Sequence, residues 1–173
     1  MIASVAGFAD YFDGVRRRTR DFFGVIPAER VDWAPKAGEY SCGDIVRHVA
    51  ASEAMFVGAV VDGRWRYPGH DRGVAPTLDA ALAHLNAGHA AARARLRELA
   101  DGALGDSRPA LSPGQRPVRA WRLLLAMIEH EVHHRSQLAS YLTWMGIEAP
   151  DIFGLGVEDV ERLTAQAAAG RDR

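Results

Sequence analysis

The run His130-Glu131-Val132-His133-His134 lies inside a stretch, Val118 to Met145, whose apolar periodicity is helical. His130 and His134 are four residues apart, so a helix stacks both imidazoles on one face, a turn apart. Two imidazoles on one face are half of a metal site. Their stripe also carries Leu123, Met127, Gln137, Tyr141 and Trp144. An unpaired imidazole among such neighbours costs a few kcal/mol, so a bound cation or internal hydrogen bonds must compensate. At about 100° per residue, His134 falls about 40° from His130, and Gln137 about 20° to the other side. Gln137 is thereby placed to orient a ligand or hydrogen-bond a bound water. His133 falls on the stripe's edge, Glu131 about 100° off to the side, and Arg135 about 140° away, where a salt bridge is expected.

A metal needs a third ligand, and a second helix offers one. His48 shares the stripe of Ile45, Ser52, Met55 and Ala59, which is otherwise small or apolar. In a bundle it can meet the pair from a facing helix. Three imidazoles leave coordination positions open, as catalytic sites do. Neutral imidazole suits zinc, nickel, copper and iron(II). His89 also faces inward and is expected to be a core histidine bonded to a carbonyl, with a supporting or ligand role as the alternative. His70 and His84 read as loop and flank residues. His130-Glu131-x-x-His134 also matches the short H-E-x-x-H pattern in which Glu131 would activate water. Against that stand the missing downstream Gly-x-x-His and the missing preceding sheet, and Glu53 lies about 140° from His48.

The elements that must hold these residues are helices. The first spans roughly Ser4 to Phe23, with Val5, Phe8, Phe12, Val15 and Phe22 as its apolar face. The second begins at Ser41, paired with Asp44 in a capping-box pattern, and runs to about Val61. The third starts near Thr77, with Leu78, Leu82, Leu85, Ala92, Leu96 and Leu99 inward. The fourth ends at Gly146, and Pro150 prevents its restart. A short helix over Val157 to Ala169 ends in a polar tail expected to fray. This is an all-α chain: a four-helix bundle over residues 1–156, and a short extra C-terminal helix with its tail over 157–173 in the same domain. The loop Asp62–Ala75 and the linker Asp101–Pro117 are long enough for topologies other than up-down-up-down. Trp65, Arg66 and Tyr67 in the first of these either cap a site or pack.

A chain of 173 residues, 48% hydrophobic and 25% charged, fits one stable globular domain. A net charge of −1 gives no electrostatic case for nucleic acid or an anionic membrane. No apolar run is long enough to span a bilayer, and no secretory signal is evident. The single cysteine, Cys42, excludes an internal disulfide and fits a reducing compartment, so the cytoplasm is expected.

The histidines with their flanks resemble the DinB/YfiT-like metalloenzymes. His130-Glu-Val-His-His134-Arg135-Ser136-Gln137 is similar to that family's H-x-x-x-H-R-G-Q signature, with Ser136 in place of glycine. Val31-Asp-Trp33-Ala-Pro35, Tyr40-Ser41 and Ile45-Val-Arg-His48 resemble its entry into the second helix. Tyr141-Leu-Thr-Trp-Met-Gly146 with Ala149-Pro150 resembles its ending of the fourth. The resemblance covers about residues 5–155. It implies a divalent metal (zinc, nickel or iron) held by His48, His130 and His134, and a homodimer. It also implies thiol-dependent transferase or isomerase chemistry, with a low-molecular-weight thiol as co-substrate.

The expected function is metal-dependent thiol S-transfer to a small electrophile, or hydrolysis of one. The alternative is a non-catalytic metal-binding bundle that senses or stores under stress. The third reading is a structural bundle whose histidines bond internally.

Overall fold

The computed structural model describes residues 2–112 and 114–169; the tail expected to fray, 170–173, lies outside the described residues. Helix α1 spans Val5–Gly24, α2 Cys42–Asp62, α3 Leu78–Arg97, α4 Ala120–Trp144 and α5 Val157–Ala169. Two-residue strands, β1 (Ser107–Arg108) and β2 (Val118–Arg119), pair antiparallel and tie the α3–α4 linker to the start of α4. The linker is therefore more ordered than its prolines and glycines suggest.

The local signals act where the sequence places them. Ser41 Oγ accepts from the Asp44 amide at 3.1 Å while Asp44 Oδ2 accepts from the Ser41 amide at 2.9 Å, closing the capping box that starts α2. Ser4 and Thr77 cap α1 and α3 in the same way, one acceptor each. Gly63 ends α2 with φ +67°, and Gly146 follows α4 with φ +73°, a region that side-chain-bearing residues rarely adopt.

The core falls into two clusters, and their membership gives the helix directions. One joins Ile45, Val46 and Val49 of α2 to Leu78, Ala81 and Leu85 of α3, to Phe22 and Phe23 at the end of α1, and to Leu138 and Leu142 near the end of α4. The other joins the later halves of α2 and α3 (Val57, Val60, Ala92, Leu96) to the earlier halves of α1 and α4 (Phe8, Phe12, Leu123, Leu124). Helices α2 and α3 therefore run parallel, opposite to α1 and α4. Each of α1 and α2 packs between α3 and α4, so consecutive α1 and α2 stand diagonally across the bundle.

Two adjacent parallel helices need a connection that travels the length of a helix. Residues 63–77 make that return. Fifteen extended residues reach about 50 Å, against about 30 Å for a helix the length of α2. Buried Arg47 staples the return to α2: its guanidinium donates to the His70 and Ala75 carbonyls at 3.1 and 2.9 Å and to Asp44 at 2.7 Å.

Between the two apolar clusters lies a buried ionic layer with one residue from each bundle helix. Arg16 of α1 reaches Glu131 of α4 with Nη2 at 2.7 Å and Nε at 3.1 Å, and Glu53 of α2 with Nη2 at 2.8 Å. Glu53 in turn meets His89 Nδ1 of α3 at 2.8 Å, and His89 Nε2 faces Asp13 at 3.1 Å. Burial alone would depress the Arg16 pKa, but Glu131 and Glu53 overcome it and hold it above its ordinary value.

Candidate metal centre

His48, in the first half of α2, and His130 and His134, on α4, come together on the groove between these helices. Their antiparallel course brings the first half of one helix level with the second half of the other. His130 Nε2 lies 3.0 Å from His48 Nε2 and 3.2 Å from His134 Nε2. Metal–nitrogen bonds of about 2.0–2.1 Å put neighbouring ligand nitrogens about 2.9 Å apart at right angles and about 3.3 Å apart in a tetrahedron. The observed separations fall in that interval.

The far nitrogens of two rings are held by side chains. Gln137 Oε1 faces His134 Nδ1 at 2.9 Å, while the Gln137 amide nitrogen donates to the Tyr141 hydroxyl at 3.1 Å. An amide oxygen only accepts, so His134 Nδ1 carries the proton and Nε2 presents a bare lone pair. His48 Nδ1 meets the Tyr67 hydroxyl at 2.7 Å, which leaves its Nε2 for the centre. His130 Nε2 thus faces two ring nitrogens at once, and one N–H cannot point at both. A shared cation satisfies all three lone pairs, and the donor set therefore fits a divalent metal of borderline softness.

Burial pushes the His48 pKa down to about 3 and His130 down to about 4, with the neighbouring imidazoles adding to the shift; burial also lowers His134. Rings held neutral in this way keep across the physiological range the lone pairs that a metal would need. Tyr40 covers the group, its ring centroid 5.0 Å from that of His48 and 6.2 Å from that of His134, and Phe56 lies 6.0 Å from His130.

Several expectations need correction. His70 is a loop residue, as expected, but the α2–α3 return carries it against His48, with ring centroids 5.1 Å apart, and its Nδ1 shares the Tyr67 hydroxyl. Tyr67 caps the site, whereas Trp65 packs on Phe56 and donates to the Pro109 carbonyl at 2.8 Å. His89 bonds carboxylates, not a carbonyl, and lies in the ionic layer. Arg135 makes no salt bridge among the described residues; it is fully buried and donates to the Val15 carbonyl and to Thr19 Oγ1. Glu131, the base of the H-E-x-x-H reading, is buried and committed to Arg16. Trp144, placed on the inner stripe, is 63% exposed because it is the last residue of α4 and lies beyond the core. His133, on the edge of the stripe, and His84, on a flank, are exposed.

The phasing missed Arg16, although the signal was present: at four residues past Phe12 it falls on the apolar stripe of α1. Tyr67 and His70 had no such signal, since their placement depends on the parallel course of α2 and α3.

The fold and site together define a class, helix bundles with a three-imidazole centre between two antiparallel helices. The model of the DinB superfamily matches residues 11–138, and the chain belongs to that superfamily. Among solved structures it is similar to a DinB-like protein of Bacillus cereus ATCC 10987, with TM-score 0.73 and 18% identity over 87% of this chain and 99% of that one. The DinB-like protein YjoA of Bacillus subtilis gives TM-score 0.65 and 19% identity over 84% and 97%. YfiT of Bacillus subtilis, described as a probable metal-dependent hydrolase with an unusual four-helix bundle topology, gives TM-score 0.64 and 16% identity over 83% and 89%. No curated protein matches the chain significantly by sequence. No described helix is long and apolar enough to cross a membrane.

Proposed function

We propose that this protein is a divalent-metal-dependent enzyme that transfers a small thiol to a small electrophile. The observation that carries this reading is the convergence of three ring nitrogens, with His130 Nε2 3.0 Å from His48 Nε2 and 3.2 Å from His134 Nε2, and with Gln137 accepting from the N–H of His134 Nδ1 so that the His134 Nε2 lone pair faces inward. His48, His130 and His134 would bind the cation. It would supply Lewis acidity that makes a weak sulfur or oxygen nucleophile competent near neutral pH. Gln137 holds the His134 proton at Nδ1, Tyr67 orients the His48 ring, and Tyr40 and Phe56 shield the group from water.

The commitment of Glu131 to Arg16 supports thiol transfer over water activation by a carboxylate base, because a thiol is far more acidic than water and needs less help. Hydrolysis is the second reading, favoured by the likeness to YfiT. A homodimer and a small-molecule substrate belong to the same proposal; exposed Val157, Val160 and Leu163 on α5 support the former.

The test is metal analysis of the purified protein, followed by assays pairing electrophiles with low-molecular-weight thiols and, separately, an ester panel. We expect about one metal per chain, a melting temperature raised by added Zn²⁺ or Ni²⁺, and both lost in His48→Ala. Far less than one metal per chain with no thermal gain sinks the metal reading. Metal binding without turnover in either panel overturns the enzyme reading in favour of a sensor or store.

A further inference from the structure

Behind Gln137, the α1–α2 connection and the last turns of α4 enclose an open cavity of about 390 Å³. That volume falls in the range of small-molecule sites, which are apolar and aromatic with a few placed polar groups. The connection contributes Pro35, and α4 contributes Tyr141 and Trp144, whose rings stack with centroids 5.8 Å apart at 26°. Trp33 meets Tyr141 edge-on at 5.5 Å, so the Tyr141 ring is held from two directions. Trp144 is exposed and keeps indole surface free for a ligand. The two charged residues at the cavity, Lys36 and Glu39, pair with each other at 3.4 Å, so the site presents no net charge.

A second observation points to an occupant. Tyr141 is 2% exposed, and its hydroxyl accepts from the Gln137 amide at 3.1 Å. Burial pushes the Tyr141 pKa above its ordinary value, so the hydroxyl keeps its proton. That proton has no acceptor among the described residues, and a hydroxyl in a buried residue is rarely left so. The hydrogen bonds that lead to it all run one way. His134 Nδ1 donates to Gln137 Oε1, the Gln137 amide nitrogen donates to Tyr141, and the Tyr141 O–H is the free end. Gln137 and Tyr141 both line the cavity, so an acceptor bound there completes the chain. Hydrogen bonds in such a chain polarise and strengthen one another. The aromatic wall favours a flat π system, the free O–H asks for a carbonyl oxygen, and the paired charges favour neither sign.

We propose that this cavity binds an uncharged aromatic carbonyl compound, its ring against Trp144 and its oxygen accepting from Tyr141, and that the Tyr141–Gln137–His134 chain couples its occupancy to the histidine centre. Occupancy rests on the cavity alone, whereas the coupling rests on the metal reading of that centre. An acceptor on Tyr141 makes His134 a stronger ligand through Gln137, so carbonyl compound and metal each raise the other's affinity by the same factor.

The test is ligand-observed NMR titration of the full, metal-free chain with acetophenone, with cyclohexyl methyl ketone, which keeps the oxygen and lacks the π face, and with toluene, which keeps the ring and lacks the oxygen. We expect saturable binding of acetophenone, and binding about fivefold weaker for each of the other two. Trp144→Leu, at an exposed position, should weaken acetophenone about fivefold with an unchanged melting temperature. Tyr141→Phe should weaken acetophenone about fivefold and leave toluene unaffected, a selectivity that a misfolded variant would lack. Zinc affinity, measured by chelator competition, should rise about twofold with saturating acetophenone and stay level with toluene. Acetophenone that does not saturate overturns the proposal. So does binding indifferent to Trp144→Leu and Tyr141→Phe, which would place the ketone elsewhere. Benzoate binding more tightly than acetophenone at constant ionic strength overturns the uncharged assignment. Zinc affinity unmoved by acetophenone overturns the coupling. Zinc that does not bind at all overturns the metal reading and the coupling with it, while the titration still decides the cavity.

Discussion

Glu131 stands between His130 and His134 in the chain, where it could serve a metal centre as a base, yet the structure gives it a different task, and Glu131→Gln separates the two. The carboxylate meets the Arg16 guanidinium at 2.7, 3.1 and 3.2 Å, and the two side chains are 3% and 1% exposed. Removing one partner of a buried pair costs about 3–5 kcal/mol, because the other charge is stranded. Glutamine keeps the shape and one acceptor oxygen, and Arg16 retains Glu53 at 2.8 Å. The loss should therefore sit near the low end, about 3 kcal/mol. In a domain of this size that lowers the melting temperature by about 6–12 °C. The measurement is calorimetry on metal-free protein, so that cation binding does not mask the loss. Arg16→Met should be worse, since it strands two carboxylates instead of one cation. Metal affinity in Glu131→Gln should fall less than stability does, because glutamine still offers Arg16 one acceptor and Arg16 keeps Glu53, so α4 and α2 stay tied to one guanidinium. A drop under about 2 °C, too small for a broken buried pair, would refute this reasoning. Full stability with loss of turnover would do so more pointedly, returning Glu131 to the role of a base.

Other consequences follow from the same geometry. Gln137→Ala removes the acceptor that fixes the His134 tautomer, and metal affinity measured by chelator competition should fall about 10–100-fold; an unchanged affinity would show the amide to be a bystander. Metal-free stability should depend on pH with a definite sign. His48 and His130 stay neutral in the fold down to about 3 and about 4, whereas in the unfolded chain they protonate near 6.5. The unfolded state then binds more protons below that value, so stability is full above about 6.5 and declines as the pH falls towards 4. A melting temperature flat between pH 7 and 4.5 would contradict the burial of these rings.

Helical phase carried most of the site. The pair at 130 and 134, Gln137 a turn on, and His48 on its own apolar stripe were readable because an imidazole at a core phase has few inexpensive explanations. The Ser41–Asp44 box fixed the start of α2 and with it the register of His48. Phase could not reach what depends on how helices are ordered in space. Tyr67 and His70 belong to a segment without periodicity. They meet His48 only because α2 and α3 run parallel, which forces residues 63–77 back along the bundle. Arg135 departs from its expected salt bridge for a related reason. A large angle from the histidines does not carry a side chain out of the core, because α4 is contacted on several sides and that angle points at α1.

The proximity of Glu131 to His130 in the chain and of Glu53 to His48 links the ionic layer to the site. Ligand sets tolerate only about 0.2 Å in bond length. A slip of α4 along α2 by one residue moves it about 1.5 Å, several times that allowance. Apolar side chains alone resist such a slip weakly, since hydrophobic attraction is non-directional. The Arg16 fork is directional: it holds Glu131 along its Nε–Nη2 edge and Glu53 through Nη2, and so fixes α4 and α2 against one guanidinium. His130 adjoins one anchored carboxylate, and His48 lies five residues before the other. The 3.0 Å approach of their Nε2 atoms is thus set from inside the bundle, by charges that never touch the ligand.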